Sequence, residues 1–394
     1  MAFFAALVYR FPSRKIFVVG ITGTKGKTSV VEIINAILQE AGYKTALIST
    51  LRFKLGNASF KNKLKMTMPG RFFVQKFLSQ AVKRDCRYVL LEMTSQAVLQ
   101  FRHKFIELDA MIFTNLAPEH IESHGSFEKY REAKLEFFKA LKKSKKKQKI
   151  TIINGDDKNA EHFLRFKSGE SRVYGLKDCN YKLTNYGVDF EFGNQFFSSK
   201  LMGEFNVYNI LAAMTFVRSQ AVDWKTIKDA LRKFTGIPGR VEFINENQDF
   251  KIVVDYAHTP ESLEKLYKIF QASRKICVLG AAGGGRDKWK RSEMGKVASN
   301  NCDEIILTNE DPYDENPKEI INDVAKGIQS PFKYKMILNR RDAIHEALKM
   351  AQPGDTVLIT GKGTDPYIMG SKGVKIKWDD REVVREELKK LRGV

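Results

Sequence analysis

The stretch VVGITGTKGKTSVVEIINAIL, residues 18–38, decides the fold of the first part of the chain. An apolar run of strand character at residues 16–19 leads into a loop with two glycines, and apolar residues then recur at helical spacing. Backbone N–H groups in such a loop point at an incoming anion, and glycines let it approach closely. Lys27 would pair with phosphate oxygens and Thr28 with a magnesium ion.

The strict phosphate-loop pattern has glycine where this chain has Ile21, so pattern matching alone rejects the stretch. An ordinary strand-to-helix turn with incidental glycines is the alternative interpretation. A nucleotide-binding loop is favoured because the strand, the loop chemistry and the helix all agree.

The bulk composition bounds the fold class and the partners. With 394 residues the chain has room for two or three domains, and its cores need no disulfide or metal. The four cysteines lie far apart in sequence and lack metal-ligand spacing, which suits a reducing, cytoplasmic location. They are Cys86, Cys179, Cys277 and Cys302.

The formal net charge of +21 would attract nucleic acid, anionic lipid or anionic metabolites. Part of it lies in a lysine-rich segment at residues 142–149 that has no aromatic residues. We interpret this segment as a solvated connector, and we expect no nucleic-acid partner.

The apolar start MAFFAALVYRF, residues 1–11, is too short to cross a bilayer. We expect it to form a helix on the first domain without stable membrane insertion, and membrane-surface contact is the less favoured alternative.

Strand-like and helical runs alternate along most of the chain, which predicts an α/β fold with a central parallel sheet. Residues 172–202 differ and predict a small antiparallel excursion. The segment GIPGR, residues 236–240, interrupts the pattern, which then restarts. We therefore predict an ATP-binding domain at residues 1–237 and a Rossmann-like α/β domain at residues 238–394. Ligands of open parallel sheets bind at the carboxyl ends of strands, where most of the distinctive polar residues fall.

Three side chains are candidates for a metal site beside the phosphates. Glu92 ends the strand YVLLE, and His120 follows the strand MIFTN. With Thr28 they could hold a divalent cation, although Glu92 and His120 are each equally consistent with an ordinary strand-end residue.

Lys134 lies on the apolar face of the helix at residues 126–141. It must snorkel, pair or lose its charge; snorkelling is the commoner outcome, but a neutral amine could form a carbamate with carbon dioxide.

Taken in order, these motifs resemble the ATP-dependent Mur ligases of peptidoglycan synthesis, most closely the MurE type that adds the third stem-peptide residue. The resemblance covers nearly the whole chain and implies ATP and Mg²⁺ as cofactors. It implies a nucleotide loop formed by Gly23, Thr24, Lys25, Gly26, Lys27, Thr28 and Ser29. Further nucleotide contacts are implied for Asn206, Asn209, Arg240, His258 and Arg340. The implied metal ligands are Thr28, Glu92, His120 and a carbamylated Lys134, and the implied catalytic residues are Lys27, Glu92, His120 and Lys134.

The resemblance also implies small-molecule substrates, a peptidoglycan precursor and a free amino acid. The residues implied to contact them are Thr67, Pro69, Arg286, Asp287, Lys288, Asp311, Tyr313, Gly361 and Asp365. Two of these depart from the diaminopimelate-adding pattern: Tyr313 stands in place of an arginine and Asp365 in place of a glutamate. With no arginine nearby, the departures favour lysine or another amine.

MurE-type ligases normally begin with a uridine-binding domain, whereas this chain starts almost at the phosphate loop. A partner chain that supplies uridine recognition is therefore an open possibility. The implied reaction forms an acyl phosphate from ATP and a substrate carboxylate, and an amine then attacks it, with closure about residues 236–240. Two alternatives stay open: a related amide ligase with a polyglutamate-type or lipid-linked acceptor, and a non-catalytic ATP-binding subunit.

Overall fold

The computed structural model describes residues 1–119, 121–330 and 333–393. The chain divides into two compact units, residues 1–235 and residues 236–394. His120, one of the predicted metal ligands, lies outside the described residues.

The first unit contains an eight-stranded sheet in the order β4-β3-β2-β5-β1-β6-β7-β8. Its strands are β1 (Phe17–Thr22), β2 (Thr45–Ile48), β3 (Arg52–Leu55), β4 (Ala58–Lys61), β5 (Tyr88–Glu92), β6 (Ala110–Phe113), β7 (Ile150–Asn154) and β8 (Glu170–Tyr174). The six strands from β2 to β8 in this order pair in parallel, and β3 and β4 are antiparallel additions at one edge. The strands β1, β2, β5, β6 and β7 are buried throughout, as expected for a parallel sheet covered on both faces. The predicted parallel sheet is confirmed.

Helices cover this sheet, and a small hairpin sheet follows it. The helices are α1 (Ala2–Val8), α2 (Lys27–Glu40), α3 (Arg71–Lys83), α4 (Ser95–Leu99), α5 (Ile121–His124), α6 (Phe127–Lys143), α7 (Ala160–Leu164), α8 (Glu204–Ser219) and α9 (Trp224–Lys233). The antiparallel strands are β9 (Asn180–Thr184), β10 (Gly187–Phe192) and β11 (Gln195–Ser199). They confirm the predicted antiparallel excursion, and α1 packs on α3 as the apolar start of the chain predicted.

The second unit has a six-stranded sheet in the order β12-β13-β17-β14-β15-β16. Its strands, with a separate pair at the end, are β12 (Glu242–Phe243), β13 (Lys251–Asp255), β14 (Lys275–Leu279), β15 (Glu304–Leu307), β16 (Tyr334–Met336), β17 (Thr356–Thr360), β18 (Tyr367–Met369) and β19 (Lys375–Lys377). Its helices are α10 (Pro260–Ile269), α11 (Lys290–Asn301), α12 (Pro317–Ala325), α13 (Arg340–Met350) and α14 (Asp380–Leu391). The sheet is parallel from β13 to β16, so the predicted second α/β unit is confirmed.

Two of the cysteines that lie far apart in sequence meet in the fold. Cys277 on β14 and Cys302 after α11 form a disulfide, with their Cα atoms 6.1 Å apart. The two cysteines are separated by 25 positions in sequence, and the helix α11 between them returns the chain to β15, which pairs with β14. Cys86 and Cys179 are free and buried. None of the helices in the described parts of the chain has the length and apolar content that a bilayer crossing requires.

Candidate active site

The loop between β1 and α2 needs its glycines for two reasons. Gly26 has φ +82°, and a Cβ there would overlap the side-chain oxygen of Asn209 on α8. Gly23 has φ +153°, and a Cβ there would overlap the hydroxyl of Thr114 at the end of β6. Side chains of α8 and of the residue after β6 therefore contact the loop closely on two sides. The backbone N–H groups of the loop lie at the start of α2, as an anion site requires.

Two lysines converge on this loop. The Nζ of Lys27 donates to the carbonyls of Gly23, at 3.0 Å, and Thr24, at 2.9 Å. The Nζ of Lys134 on α6 donates to the same Gly23 carbonyl at 2.8 Å and lies 4.5 Å from the centre of the Tyr130 ring. Lys134 is only 1% exposed. Snorkelling, the commoner expectation for this lysine, is therefore wrong.

The surroundings of Lys134 disfavour its charged form. Burial first, and then the charge of Lys27, hold the pKa of Lys134 well below its ordinary value. The helix α6 is fixed at its start by Ser126, whose side chain accepts a hydrogen bond from the backbone N–H of Lys129. Apolar neighbours on α6, among them Phe137 and Phe138, are fully buried and hold this face of the helix in the core. A neutral primary amine is the form that reacts with carbon dioxide.

Glu92 forms the centre of a second cluster at the carboxyl ends of three neighbouring strands. Its carboxylate accepts hydrogen bonds from the Thr28 hydroxyl at 3.0 Å, and from the Thr50 backbone N–H at 2.8 Å and hydroxyl at 3.0 Å. The Thr50 hydroxyl also lies 2.8 Å from that of Thr67. The structure thus brings together three residues predicted from sequence, Thr28, Glu92 and Thr67. Thr50 was missed, although its position just after β2 places it at the same edge of the sheet.

The end of β6 holds the other side of the loop. Asn115 accepts a hydrogen bond from the backbone N–H of Lys25 at 2.9 Å and donates to its carbonyl at 3.1 Å. The ammonium of Lys25 pairs with Glu119 at 3.0 Å. The Thr24 hydroxyl lies 3.1 Å from the Tyr130 hydroxyl. Asn115, Glu119 and Tyr130 were not predicted as site residues, although Asn115 lies two residues after the end of β6.

The remaining residues predicted on the nucleotide side of the first unit lie on helices or beside the cluster. Asn206 donates to the carbonyl of Met202 at 2.8 Å, and Asn209 donates to Asn206 at 3.0 Å, next to Gly26. Ser29 lies buried in the first turn of α2, and Pro69 lies buried just before α3.

In the second unit, the end of β13 gathers two of the predicted nucleotide residues. The guanidinium of Arg240 lies 4.3 Å from the centre of the Tyr256 ring, and the His258 Nδ1 lies 2.7 Å from the Tyr256 carbonyl. Arg340 is placed differently: it is 2% exposed, pairs with Asp380 at 2.8 Å and donates to the Thr360 carbonyl at 2.7 Å. These contacts give Arg340 a structural role, and its nucleotide contact stays a prediction.

A buried lysine pairs with two carboxylates that were predicted to contact the substrates. The Nζ of Lys362, 1% exposed, pairs with Asp311 at 2.8 Å and with Asp365 at 3.0 Å. Asp311 also accepts a hydrogen bond from the backbone N–H of Met369 at 2.8 Å. Lys362 was missed as a site residue, although it directly follows Gly361, which was predicted to contact substrate.

Tyr313 has a cationic neighbour. Arg286 forms a side-chain hydrogen bond with Tyr313 and interacts with the charge of Asp311. The expectation of no arginine near this position is therefore wrong, because the glycine-rich loop before Arg286 runs against Tyr313. A Cβ at Gly284 would lie 2.6 Å from the Tyr313 ring, so the approach requires glycine. Of the adjacent predicted residues, Asp287 is buried and Lys288 pairs with Glu315 at 3.6 Å.

Glu310 is a buried carboxyl group beside this site. One of its oxygens has no hydrogen-bond partner in the described residues, and a Cβ at Gly361 would lie 2.6 Å from that oxygen. Gly361 has φ +105°, which also favours glycine. Burial raises the pKa of Glu310 to about 7, against the opposing effect of Lys362. The close contact of Gly361 with Glu310 requires glycine at position 361, and its substrate contact stays a prediction.

The family follows from matches in both units. Residues 21–217 match the Mur ligase middle domain, and residues 239–363 match the Mur ligase glutamate ligase domain. The chain belongs to the Mur ligase family. Mur ligases are ATP-dependent, which accords with the phosphate loop and its two lysines.

Named Mur ligases resemble this chain over nearly its full length. The UDP-N-acetylmuramoyl-L-alanyl-D-glutamate–2,6-diaminopimelate ligase of Syntrophomonas wolfei is 36% identical over 99% of this chain and 81% of its own length. The ligase of the same name from Aquifex aeolicus is 36% identical over 96% of this chain and 78% of its own length. A solved structure of that name superposes with a TM-score of 0.63 at 28% identity, covering 96% of this chain and 79% of that one. Mycobacterium tuberculosis folylpolyglutamate synthase, 14% identical, shares the fold with a TM-score of 0.75 over 100% of this chain and 95% of its own.

Proposed function

We propose that this Mur ligase joins an amino acid to the D-glutamate carboxylate of a UDP-MurNAc-L-Ala-D-Glu-type precursor, with hydrolysis of ATP to ADP and phosphate. The observation that carries the proposal is the cluster of Thr28, Glu92 and Thr67, which joins the phosphate loop to the segment predicted to contact the acceptor. Relatives at 36% identity named for this reaction support the same acceptor. Because ATP and nucleotide-linked precursors are cytoplasmic metabolites, the proposal includes a cytoplasmic location.

The donor atoms around Glu92 fit a magnesium ion. Magnesium prefers oxygen ligands and is commonly held by one or two carboxylates together with substrate phosphates. Glu92 is 2% exposed, and the hydrogen bonds that it accepts from Thr28 and Thr50 come from neutral groups, which do not balance its charge. Thr28 and Glu92 would hold the ion, and a bound ion would neutralise charge on the ATP phosphates. His120 stays a predicted ligand.

Lys134 would supply a second anionic oxygen after carbamylation. The neutral amine attacks the carbon of carbon dioxide, one C=O π bond becomes a C–O⁻ group, and the amine releases a proton to solvent. The lowered pKa of Lys134 makes the attacking lone pair more available than that of an ordinary lysine. Lys27 and the loop N–H groups lie beside it, so an anion there would meet positive charge.

The first chemical step takes place at the phosphate loop. An oxygen of the acceptor carboxylate attacks the γ-phosphorus of ATP, the bond to the bridging oxygen breaks, and ADP leaves. Lys27 and the backbone N–H groups of the loop stabilise charge on the phosphoryl oxygens. The amine of the incoming amino acid then attacks the acyl carbon. Phosphate leaves and carries away the carboxylate oxygen that had attacked the γ-phosphorus, and the amine gives up a proton. No residue of the chain becomes covalently attached to the substrate.

The second unit would bind the incoming amino acid. Lys362 balances part of the charge of Asp311 and Asp365, and these two carboxylates would pair with a substrate ammonium. Arg286, beside Tyr313, offers a guanidinium to a substrate carboxylate. We therefore propose a diamino acid as substrate, either lysine or diaminopimelate.

The test mixes the chain with ATP, Mg²⁺ and UDP-MurNAc-L-Ala-D-Glu and offers lysine, diaminopimelate and ornithine in parallel. We expect phosphate release that depends on one amino acid, together with a product whose mass is the sum of both substrates less one water. Reactions without the amino acid or without the acceptor are the controls. If a chain that binds ATP releases no phosphate with all three, the acceptor differs or a partner chain is required for uridine recognition.

A further inference from the structure

We propose that one surface of the first unit binds reversibly to membranes that contain anionic lipid. It is formed by α1, the start of α3 and the loop that follows α4. We call it the phenylalanine surface and define it by six exposed apolar residues, Phe3, Phe4, Leu7, Phe72, Phe101 and Phe105. Their exposed fractions are 52%, 56%, 50%, 39%, 56% and 46% respectively.

Contacts join the three segments that carry these six residues. The Phe3 ring lies 5.3 Å from the Phe105 ring, and the Phe4 ring lies 6.2 Å from the Phe72 ring, between ring centroids. Arg71, next to Phe72, donates to the carbonyl of Gln100, next to Phe101. Three segments that are distant in sequence therefore meet on one face.

The patch is large for a surface that faces only water. A phenylalanine side chain carries about 200 Å² of surface, so five rings that are each roughly half exposed present several hundred Å² together. That is the range in which exposed apolar patches mark interaction sites. Scattered single apolar residues would need no such explanation.

Two of these rings belong to residues with a strained backbone. Phe101 has φ 54° and Phe105 has φ 63°, both in the left-handed region that bulky residues rarely adopt. An asparagine or glycine would occupy these positions with less strain. The chain nevertheless has phenylalanine at both, with the rings about half exposed, so neither folding nor core packing accounts for the residue type.

The positive charge of these segments indicates which partner the phenylalanine surface binds. Residues 1–16, 71–84 and 93–106, which contribute to the surface, contain nine lysines and arginines and no aspartate or glutamate, and the adjoining Glu107 pairs with one of these cations, Arg14, at 3.9 Å. Aromatic rings among basic residues match the interface of an anionic bilayer, where the rings enter the headgroup region and the cations meet lipid phosphates. A protein partner would need a matching acidic face, whereas an anionic bilayer presents negative charge at every position.

The mode of binding is peripheral. The helix α1 has seven residues, about a third of the length that a bilayer crossing requires. A shallow apolar contact combined with electrostatic attraction gives weak, salt-sensitive association. Such binding would concentrate the chain at a membrane without anchoring it there, and it does not depend on the proposed ligase reaction.

The experiment is co-sedimentation of the full chain with vesicles of phosphatidylcholine alone and of phosphatidylcholine mixed with phosphatidylglycerol. We expect binding only to the mixed vesicles and release by high salt. The variant Phe101→Asn/Phe105→Asn removes two rings while relieving backbone strain. It should bind at least about tenfold more weakly without a lower unfolding temperature, so misfolding would not explain the loss.

Two controls separate the surface from general stickiness and from net charge. Phe196→Ser removes a ring that is 61% exposed on β11, and Lys142→Glu/Lys143→Glu reverses two charges on α6. Both should retain binding. The proposal is overturned if the chain fails to bind mixed vesicles at low salt, or if either control loses binding as fully as the Phe101→Asn/Phe105→Asn variant. It is also overturned if the surface instead mediates a dimer that this variant dissociates.

Discussion

Lys134 and Lys27 donate hydrogen bonds to a single carbonyl oxygen, that of Gly23, at 2.8 and 3.0 Å. Lys134 is almost fully buried, and the Lys27 ammonium repels it across the shared acceptor, so the pKa of Lys134 falls. The shared carbonyl also places Lys134 directly against the phosphate loop. The proposed carbamate would therefore form where ATP phosphates and magnesium meet the chain.

Replacing Lys134 should stop the reaction without preventing nucleotide binding. We expect Lys134→Ala to lower turnover at least about 100-fold, the magnitude associated with loss of one stabilising group in a transition state. ATP binding, measured by calorimetry, should change much less because Lys27 and the loop N–H groups remain. Short carboxylic acids should restore part of the turnover by supplying the missing carboxylate.

The matched control is Lys142→Ala, which removes an exposed lysine from the last turn of the same helix. It should leave turnover unchanged. Full activity of Lys134→Ala would show that neither the amine nor a carbamate takes part.

Glu92→Gln should alter the magnesium dependence of the reaction. The variant keeps acceptors for Thr28 and Thr50 but lacks the negative charge that fits a cation. We expect the Mg²⁺ concentration for half-maximal phosphate release to rise and the maximal rate to fall, each by about tenfold or more. An unchanged magnesium titration would remove Glu92 from the proposed metal site.

Gly26→Ala tests how α8 presses on the loop, and the chain offers a close control. Gly26 and Gly42 both have φ +82°, but a Cβ at Gly42 meets nothing within 4 Å, whereas one at Gly26 overlaps Asn209. Gly42→Ala should cost about 1 kcal/mol of unfolding free energy from the backbone conformation alone. Gly26→Ala should cost that amount plus about 1–3 kcal/mol for the overlap, and it should weaken ATP binding. Equal costs in thermal unfolding would mean that Asn209 moves aside freely.

Glu310→Gln should change how stability depends on pH. Because the pKa of Glu310 is raised to about 7, the folded state keeps its proton where the unfolded state has lost it. The unfolding free energy of the wild type therefore falls as pH rises from the ordinary carboxyl range to about 7, and the variant lacks this loss. Across that pH window, the unfolding free energy of the variant should rise relative to that of the wild type by on the order of 3 kcal/mol.

The control for this pH effect is Glu319→Gln, which replaces an exposed carboxyl at the start of α12. The difference in unfolding free energy between this variant and the wild type should not change across the same pH range. A flat difference for Glu310→Gln as well would show that Glu310 ionises normally in the folded chain.

Features that depend on local sequence could be predicted before the structure. The strand–loop–helix around Gly26 needs only a short apolar run, glycines and a helical period. Thr28 and Glu92 could be grouped because β1 and β5 are neighbours whose carboxyl ends share one edge of the sheet, whereas Thr67 was predicted only from the family resemblance. In each case the chemistry lies within a few residues of a recognisable element.

Features that depend on tertiary packing could not. The Cys277–Cys302 bond depends on a crossover that returns the chain beside β14, and the pairing of Arg286 with Tyr313 depends on how two loops run together. Lys362 becomes a site residue only because two distant carboxylates converge on it. The period of α6 placed Lys134 on the apolar face, but only the packing around the loop decides that its amine stays inside.

The most direct test follows the acceptor oxygen through the reaction. The D-glutamate carboxylate of the acceptor is labelled with the heavy isotope of oxygen, and the released phosphate is weighed by mass spectrometry in the presence of ATP, Mg²⁺ and the preferred amino acid. An acyl phosphate predicts one heavy oxygen in each phosphate and an amide product that has lost one. Phosphate without the label, released at the rate of amide formation, would contradict the proposed ligase mechanism.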